Sequence, residues 1–147
     1  LWESNAIVQY LGMRYNPHLF YRNDTLLCNS ALRWMMWENN RLIGPMHDIV
    51  EQRFRVPAAD RNPQLENDAE QKLNQEFEVI ENQLEKTEFI AGSSWSMGDI
   101  PISIRCHRFF LLDIITKPMP QLARYYETLK ARPSFKVIED ETLHISG

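Results

Sequence analysis

The sequence predicts an all-α fold, a helical bundle. Three observations lead there. Apolar residues recur at helical spacings of three and four along most of the 147 residues. Prolines cut that pattern into helix-sized pieces, because the residue before a proline avoids the α region. No stretch alternates apolar and polar residues as a half-buried strand does. A chain of this length buries about two-thirds of its unfolded surface, enough for a real core.

The elements follow in order. Ser4 is placed as a helix N-cap. Ala6, Ile7, Tyr10 and Leu11 then form an amphipathic stripe that should stop near Asn16-Pro17. Leu1-Trp2 before the cap reads as the end of a strand. Residues 17 to 24 read as a connector. A long helix from Thr25 to about Phe54 carries Leu27, Ala31, Trp34, Met35, Leu42, Met46, Ile49 and Val50, with a bend expected at Gly44-Pro45. Pro57 to Pro63 is a loop. Leu65 to Thr87 is the clearest helix, with Leu73, Phe77, Ile80 and Leu84 on one stripe. Its other face, with Glu66, Asp68, Glu70, Gln71, Lys72 and Glu76, is expected to be solvated. Phe89-Ile90-Ala91-Gly92 is an apolar run ending in a turn. Ser96-Met97-Gly98-Asp99 is a tight capping box, with Asp in place of the usual Glu or Gln. It opens a helix to about Ile115, with Pro101 tolerated in its first turn. Further helices are expected from Pro120 to Lys130 and from Ser134 to about Glu141.

Composition bounds the function. The chain is 44% hydrophobic and 24% charged, with a net charge of −4. That excludes collagen, low-complexity disorder and a disulfide scaffold. Sixteen basic against twenty acidic residues offer no positive face for nucleic acid. No apolar run approaches the roughly 18 residues of a membrane span, so no membrane partner is expected. Leu1-Trp2-Glu3-Ser4 does not read as a secretory leader. Cys28 and Cys106 form no CxxC pair and read as reduced thiols, which points to the cytoplasm. The length fits one full domain with a piece of a second.

Several kinds of chemistry find no support. There is no P-loop and no GxGxxG, and Gly92-Ser93-Ser94-Trp95 is not a nucleophile elbow. His18, His47, His107 and His144 do not pair at helical spacing. Glu141 and His144 make a single ExxH, short of a di-iron site, so no metal is expected. In Arg33-Trp34-Met35-Met36-Trp37 the two tryptophans share a helical face. Core packing and the wall of an apolar ligand site both fit them. The segment Trp2-Glu3-Ser4-Asn5-Ala6-Ile7 is the strongest feature. The free N–H groups of a helix start favour a carboxylate, and Glu3 beside them suits an ammonium. Together they match a zwitterionic α-amino acid head. The plainer reading is an N-cap beside a solvated Glu.

Glu3-Ser4-Asn5-Ala6-Ile7 followed by Tyr10-Leu11 resembles the ES-x-AI-x-x-YL segment that closes the thioredoxin-like domain of the glutathione transferase family. Phe89-Ile90-Ala91-Gly92 with Ser96-Met97-Gly98-Asp99-Ile100 resembles the capping motif of that family's helical domain. Leu129-Lys130-Ala131-Arg132-Pro133 resembles its usual helix ending. The style is nearest to bacterial, theta-like members. The resemblance implies that residues 1–16 end a truncated thioredoxin-like domain, as a remnant strand and helix. It makes 17–24 the linker and 25–147 the all-α C-terminal domain. It assigns Glu3 and Ser4 to the γ-glutamyl end of glutathione, the co-substrate. Ser96 and Asp99 become structural caps, and the helix from Thr25 lines a site for an apolar electrophile, with Trp37, Asn40 and Arg41 as candidates. It also implies a homodimer at full length.

One departure is marked. The family's thiol-activating Ser, Tyr or Cys and its cis-proline segment lie near the start of the thioredoxin-like domain, and nothing in this chain matches them. No catalytic residue is therefore named, and this fragment alone is expected to be inactive. A non-catalytic binding or scaffold domain is the alternative.

Overall fold

The computed structural model describes residues 2–21 and 23–140. Its helices are α1 (Ser4–Tyr15), α2 (Thr25–Arg41), α3 (Ile43–Val50), α4 (Pro63–Leu84), α5 (Asp99–Leu111), α6 (Pro120–Lys130) and α7 (Lys136–Asp140). Short 3-10 turns fill Pro17–Phe20, Ala58–Asp60 and Pro133–Phe135. There is no strand among the described residues. Trp2, expected at a strand end, is irregular and mostly exposed, and Leu1 lies outside the described residues.

Helix α4 is the centre of the bundle. Leu73, Phe77 and Ile80 are fully buried and Leu84 nearly so, as the stripe predicts. The helix packs against α3 on one side and α6 on another, while α2 packs against α5. Phe77 and Phe109 stack with centroids 3.9 Å apart, fixing α4 against α5. Asn62 caps α4 by accepting from the N–H groups of Gln64 and Leu65, and Pro63 occupies its first position.

The acidic face of α4 departs only in part from the solvated surface expected of it. Glu66 and Glu70 both accept from Arg53, which also donates to the Leu112 carbonyl at 2.9 Å. Glu76 is buried between Arg41 and Lys72. Further along, Glu81 caps α6 by accepting from Gln121 N and Leu122 N. Asp68, Gln71 and Lys72 stay exposed as expected, while Glu66, Glu70, Glu76 and Glu81 tie the helix to its neighbours.

The expected long helix from Thr25 is two helices. The break comes at Leu42, one turn before Pro45, because a proline ring collides with the carbonyl four residues back, here that of Arg41. Regular α-helix ends at Val50, and Glu51–Arg55 widen into a π turn closed by Val56 N on Glu51 O at 2.9 Å. Helix α5 also ends earlier than expected. Asp113 takes a left-handed φ of 51°, and Asn74 of α4 holds the following loop through Ile114 O, Thr116 N and Thr116 Oγ1. The final helix begins at Lys136, after a 3-10 turn, and the expected stretch beyond Asp140 lies outside the described residues. No helix among them is long and apolar enough to cross a membrane.

Candidate functional site

The start of α1 is one of three places among the described residues where a non-glycine residue takes a positive φ. Glu3 precedes the helix with φ 70° and ψ 112°, a region that L-residues rarely occupy. Ser4, expected as the N-cap, is instead the first helical residue, because this turn at Glu3 brings the chain into the helix one residue earlier. The first intrahelical bond runs from Ile7 N to Glu3 O at 3.0 Å, and no side chain caps the end. Among the described residues no acceptor meets the N–H groups of Ser4, Asn5 and Ala6, the ones a helix start leaves without an intrahelical partner. The side chains of Glu3 and Ser4 are exposed beside them.

Two contacts hold this end of α1 in place. Asn5 Nδ2 donates to the Met35 carbonyl of α2 at 3.1 Å, and Val8 packs against the core. Below Ser4 and Asn5 lies a small cavity of about 100 Å³ whose floor includes Val8, Glu38, Ile43 and Arg105. Glu38 is 2% exposed and accepts from Arg105 Nε at 2.5 Å. Removing a carboxylate this far from water requires such a partner. A second hollow of about 200 Å³ continues past Ile43 and Arg105 to Met46, Val50, Arg55 and Arg108. The two hollows share Ile43 and Arg105, and the arginines along them are ion-paired, Arg105 with Glu38 and Arg55 with Glu51.

The three α2 candidates do not line either hollow. Trp37 is half-buried, with its ring edge-on to Trp34 at 5.1 Å. Trp34 itself is core, so packing accounts for this pair. Asn40 donates to the Met36 carbonyl of its own helix. Arg41 reaches toward Glu76 of α4 at 3.8 Å. The α2 residue that meets the Ser4 cavity is Glu38. The sequence carried a signal for it, since Glu38 falls on the stripe of Ala31, Trp34, Met35 and Leu42. A carboxylate on an apolar stripe implies a buried partner.

Ser96 and Asp99 form the cap that the spacing predicts, and more. Asp99 Oδ2 accepts from Ser96 N at 2.8 Å and Ser96 Oγ at 3.0 Å, while Ser96 Oγ accepts from Gly98 N. Asp99 Oδ1 accepts from Ile90 N and from Tyr125 Oη, both at 2.9 Å. Burial pushes the Asp99 carboxyl above the usual carboxylate range, although these hydrogen bonds pull it down. Burial, and then the nearby Asp99 charge, raise Tyr125 well above an ordinary phenol. Cys106 is free and wholly buried, and burial raises its thiol too. That inert state is what a packing cysteine shows. No cluster of three metal-ligating side chains occurs among the described residues, and Glu141 and His144 lie outside them.

Comparison with known proteins identifies the family of this fold. The chain is 28% identical over 138 residues to glutathione S-transferase GstB of Escherichia coli, covering 94% of this chain and 66% of that protein. It is 32% identical over 137 residues to glutathione S-transferase A of Pleuronectes platessa, covering 91% of this chain and 61% of the relative. The chain thus spans somewhat under two thirds of the length of both relatives. Its fold superposes with a TM-score of 0.91 on the theta class glutathione S-transferase of Xanthomonas axonopodis pv. citri with glutathione bound, at 28% identity, covering 97% of this chain and 75% of that one. The sequence model of the glutathione S-transferase C-terminal domain matches residues 42–133. The chain therefore belongs to the glutathione S-transferase family and carries its C-terminal helical domain.

Proposed function

We propose that the chain serves a glutathione transferase, with the start of α1 holding the γ-glutamyl end of glutathione. The observation that carries this reading is the uncapped helix start behind a strained Glu3. Three open N–H groups and the helix dipole suit the α-carboxylate, and the Glu3 carboxylate suits the α-ammonium. Backbone strain persists where the surroundings enforce it, and it collects at ligand sites. The electrophile lies in the cleft continuing from Ser4 past Ile43 and Arg105, whose walls are Met46 and Val50. That placement moves the second substrate from the Trp37, Asn40 and Arg41 face to the Glu38 side of α2. The transferase step is attack of the glutathione thiolate on an apolar electrophile. A homodimer in the cytoplasm is part of the same proposal.

Titrating reduced glutathione into the isotopically labelled chain tests the binding half. The amide resonances of Ser4, Asn5 and Ala6 are expected to move together. Glutathione that moves other amides while leaving these three still overturns the assignment.

A further inference from the structure

Helix α1 is held to the bundle by little of its own surface. Tyr10, Leu11, Met13 and Tyr15 are about half exposed or more, and of its apolar side chains Val8 packs against the core. Among the described residues, the one hydrogen bond from an α1 side chain to another helix is that of Asn5 to the Met35 carbonyl. The helix packs chiefly on the 3-10 turn Pro17–Phe20 that follows it. It is therefore placed as firmly as that turn is.

The turn is tied down on one short loop, residues 94–97. Leu19 packs against the core, and its carbonyl accepts from Met97 N at 3.0 Å. Tyr21 also packs against the core, and its hydroxyl donates to the Ser94 carbonyl at 2.6 Å, 73 residues away in sequence. Burial, and then the nearby Asp99 charge, raise this hydroxyl above an ordinary phenol, so it keeps the proton that it donates. The Tyr21 backbone is left-handed, with φ 49° and ψ 44°. A residue with a Cβ stays in that region where its surroundings hold it there.

We propose that Tyr21 is a latch: its bond to Ser94 holds the connector, and through it α1, against the bundle, and α1 comes away as a unit when that bond opens while α2 to α6 stay folded. An element with few buried apolar contacts is one that opens ahead of the whole fold. Opening the latch costs the two bonds to the 94–97 loop and the packing of Leu19 and Tyr21. It leaves Asp99 with its partners Ile90, Ser96 and Tyr125, none of which belongs to the connector. The latch does not rest on the glutathione assignment, since it concerns how α1 is held, whatever its start binds.

Amide hydrogen exchange, followed by NMR on the unmodified chain and two variants, tests the proposal. In the unmodified chain the amides of Tyr10, Leu11 and Gly12 are expected to be less protected than those of Phe77 and Ile80 in α4. Tyr21→Phe keeps the ring and loses the hydroxyl. It should speed exchange of the three α1 amides about fivefold, the factor that one hydrogen bond of ordinary net strength supplies. Tyr125→Phe weakens the cap without touching the latch, so it should leave those three amides as they are in the parent. Exchange in α1 that Tyr21→Phe leaves unchanged overturns the proposal. Equal acceleration of α1 by both variants overturns it too. So does protection of α1 in the unmodified chain equal to that of Phe77 and Ile80, because α1 is then released only when the whole fold opens. Should Tyr125→Phe fail to fold, the unmodified chain and Tyr21→Phe still decide.

Discussion

Tyr125 donates its phenolic hydrogen to Asp99 Oδ1 at 2.9 Å, and both residues are fully buried. Through this bond α6 holds the cap of α5. The same oxygen accepts from Ile90 N, so the Phe89–Gly92 turn is held at the same point. Tyr125→Phe removes the hydroxyl and leaves the ring in place. A hydrogen bond to an ionised group is worth about 1.5–3 kcal/mol, and a loss of that size is expected in urea unfolding. A change under half a kcal/mol would mean that the cap stands without α6.

Asp99 also makes stability depend on pH, with a definite sign. Its carboxyl is raised in the folded chain, so the folded state holds the proton more tightly than the unfolded one. Stability is then full below the ordinary aspartate range and declines as pH rises through the raised value. Asp99→Asn lacks this titration. It is less stable than the parent, because its amide nitrogen cannot accept from Ser96. The gap between the two is expected to narrow as pH rises from the ordinary carboxylate range upward. Thermal unfolding of both across that window checks it, and a gap that widens with pH contradicts the assignment.

Gly98 is needed for space. A Cβ there would lie 3.1 Å from both the Cα and the carbonyl oxygen of Ala31, backbone atoms that cannot swing aside. Its φ of −63° is ordinary for any residue. Gly98→Ala is therefore expected to cost about 1–3 kcal/mol by pushing the cap away from α2. Were Gly98→Ala as stable as the parent in chemical denaturation, α2 and the cap would be separable.

How much of this was legible in the sequence depends on distance along the chain. The α4 stripe and the Ser96–Asp99 cap are local patterns, and both were readable. The third partner of the cap was not, since Tyr125 lies 26 residues from Asp99 and reads as one more apolar position on its own helix. Glu38 and Arg105 are 67 residues apart, and only folding brings them together. Asn5 of α1 donates to the Met35 carbonyl of α2, a contact that no periodicity encodes. The resemblance names Trp37, Asn40 and Arg41 on α2, whereas the α2 residue that lines the Ser4 cavity is Glu38.

The strain at Glu3 gives a prediction in which stability and binding move in opposite directions. A non-glycine residue at φ 70° and ψ 112° carries about 1–3 kcal/mol of strain. Glycine adopts positive φ freely, although its unfolded chain has more freedom to lose. Glu3→Gly is therefore expected to leave the fold as stable as the parent or slightly more so. It removes the carboxylate that faces an ammonium, so glutathione binding should weaken by at least tenfold. Glu3→Gln separates the two effects, because it keeps the strain and loses only the charge. If Glu3→Gln binds glutathione as tightly as the parent, the charge does not read the ammonium. If Glu3→Gly is clearly less stable than the parent, the strained turn is held by side-chain contacts and is not a feature kept for the ligand. Weak binding in both variants, with stability retained in Glu3→Gly, is the outcome expected of a residue whose conformation is maintained for what it binds.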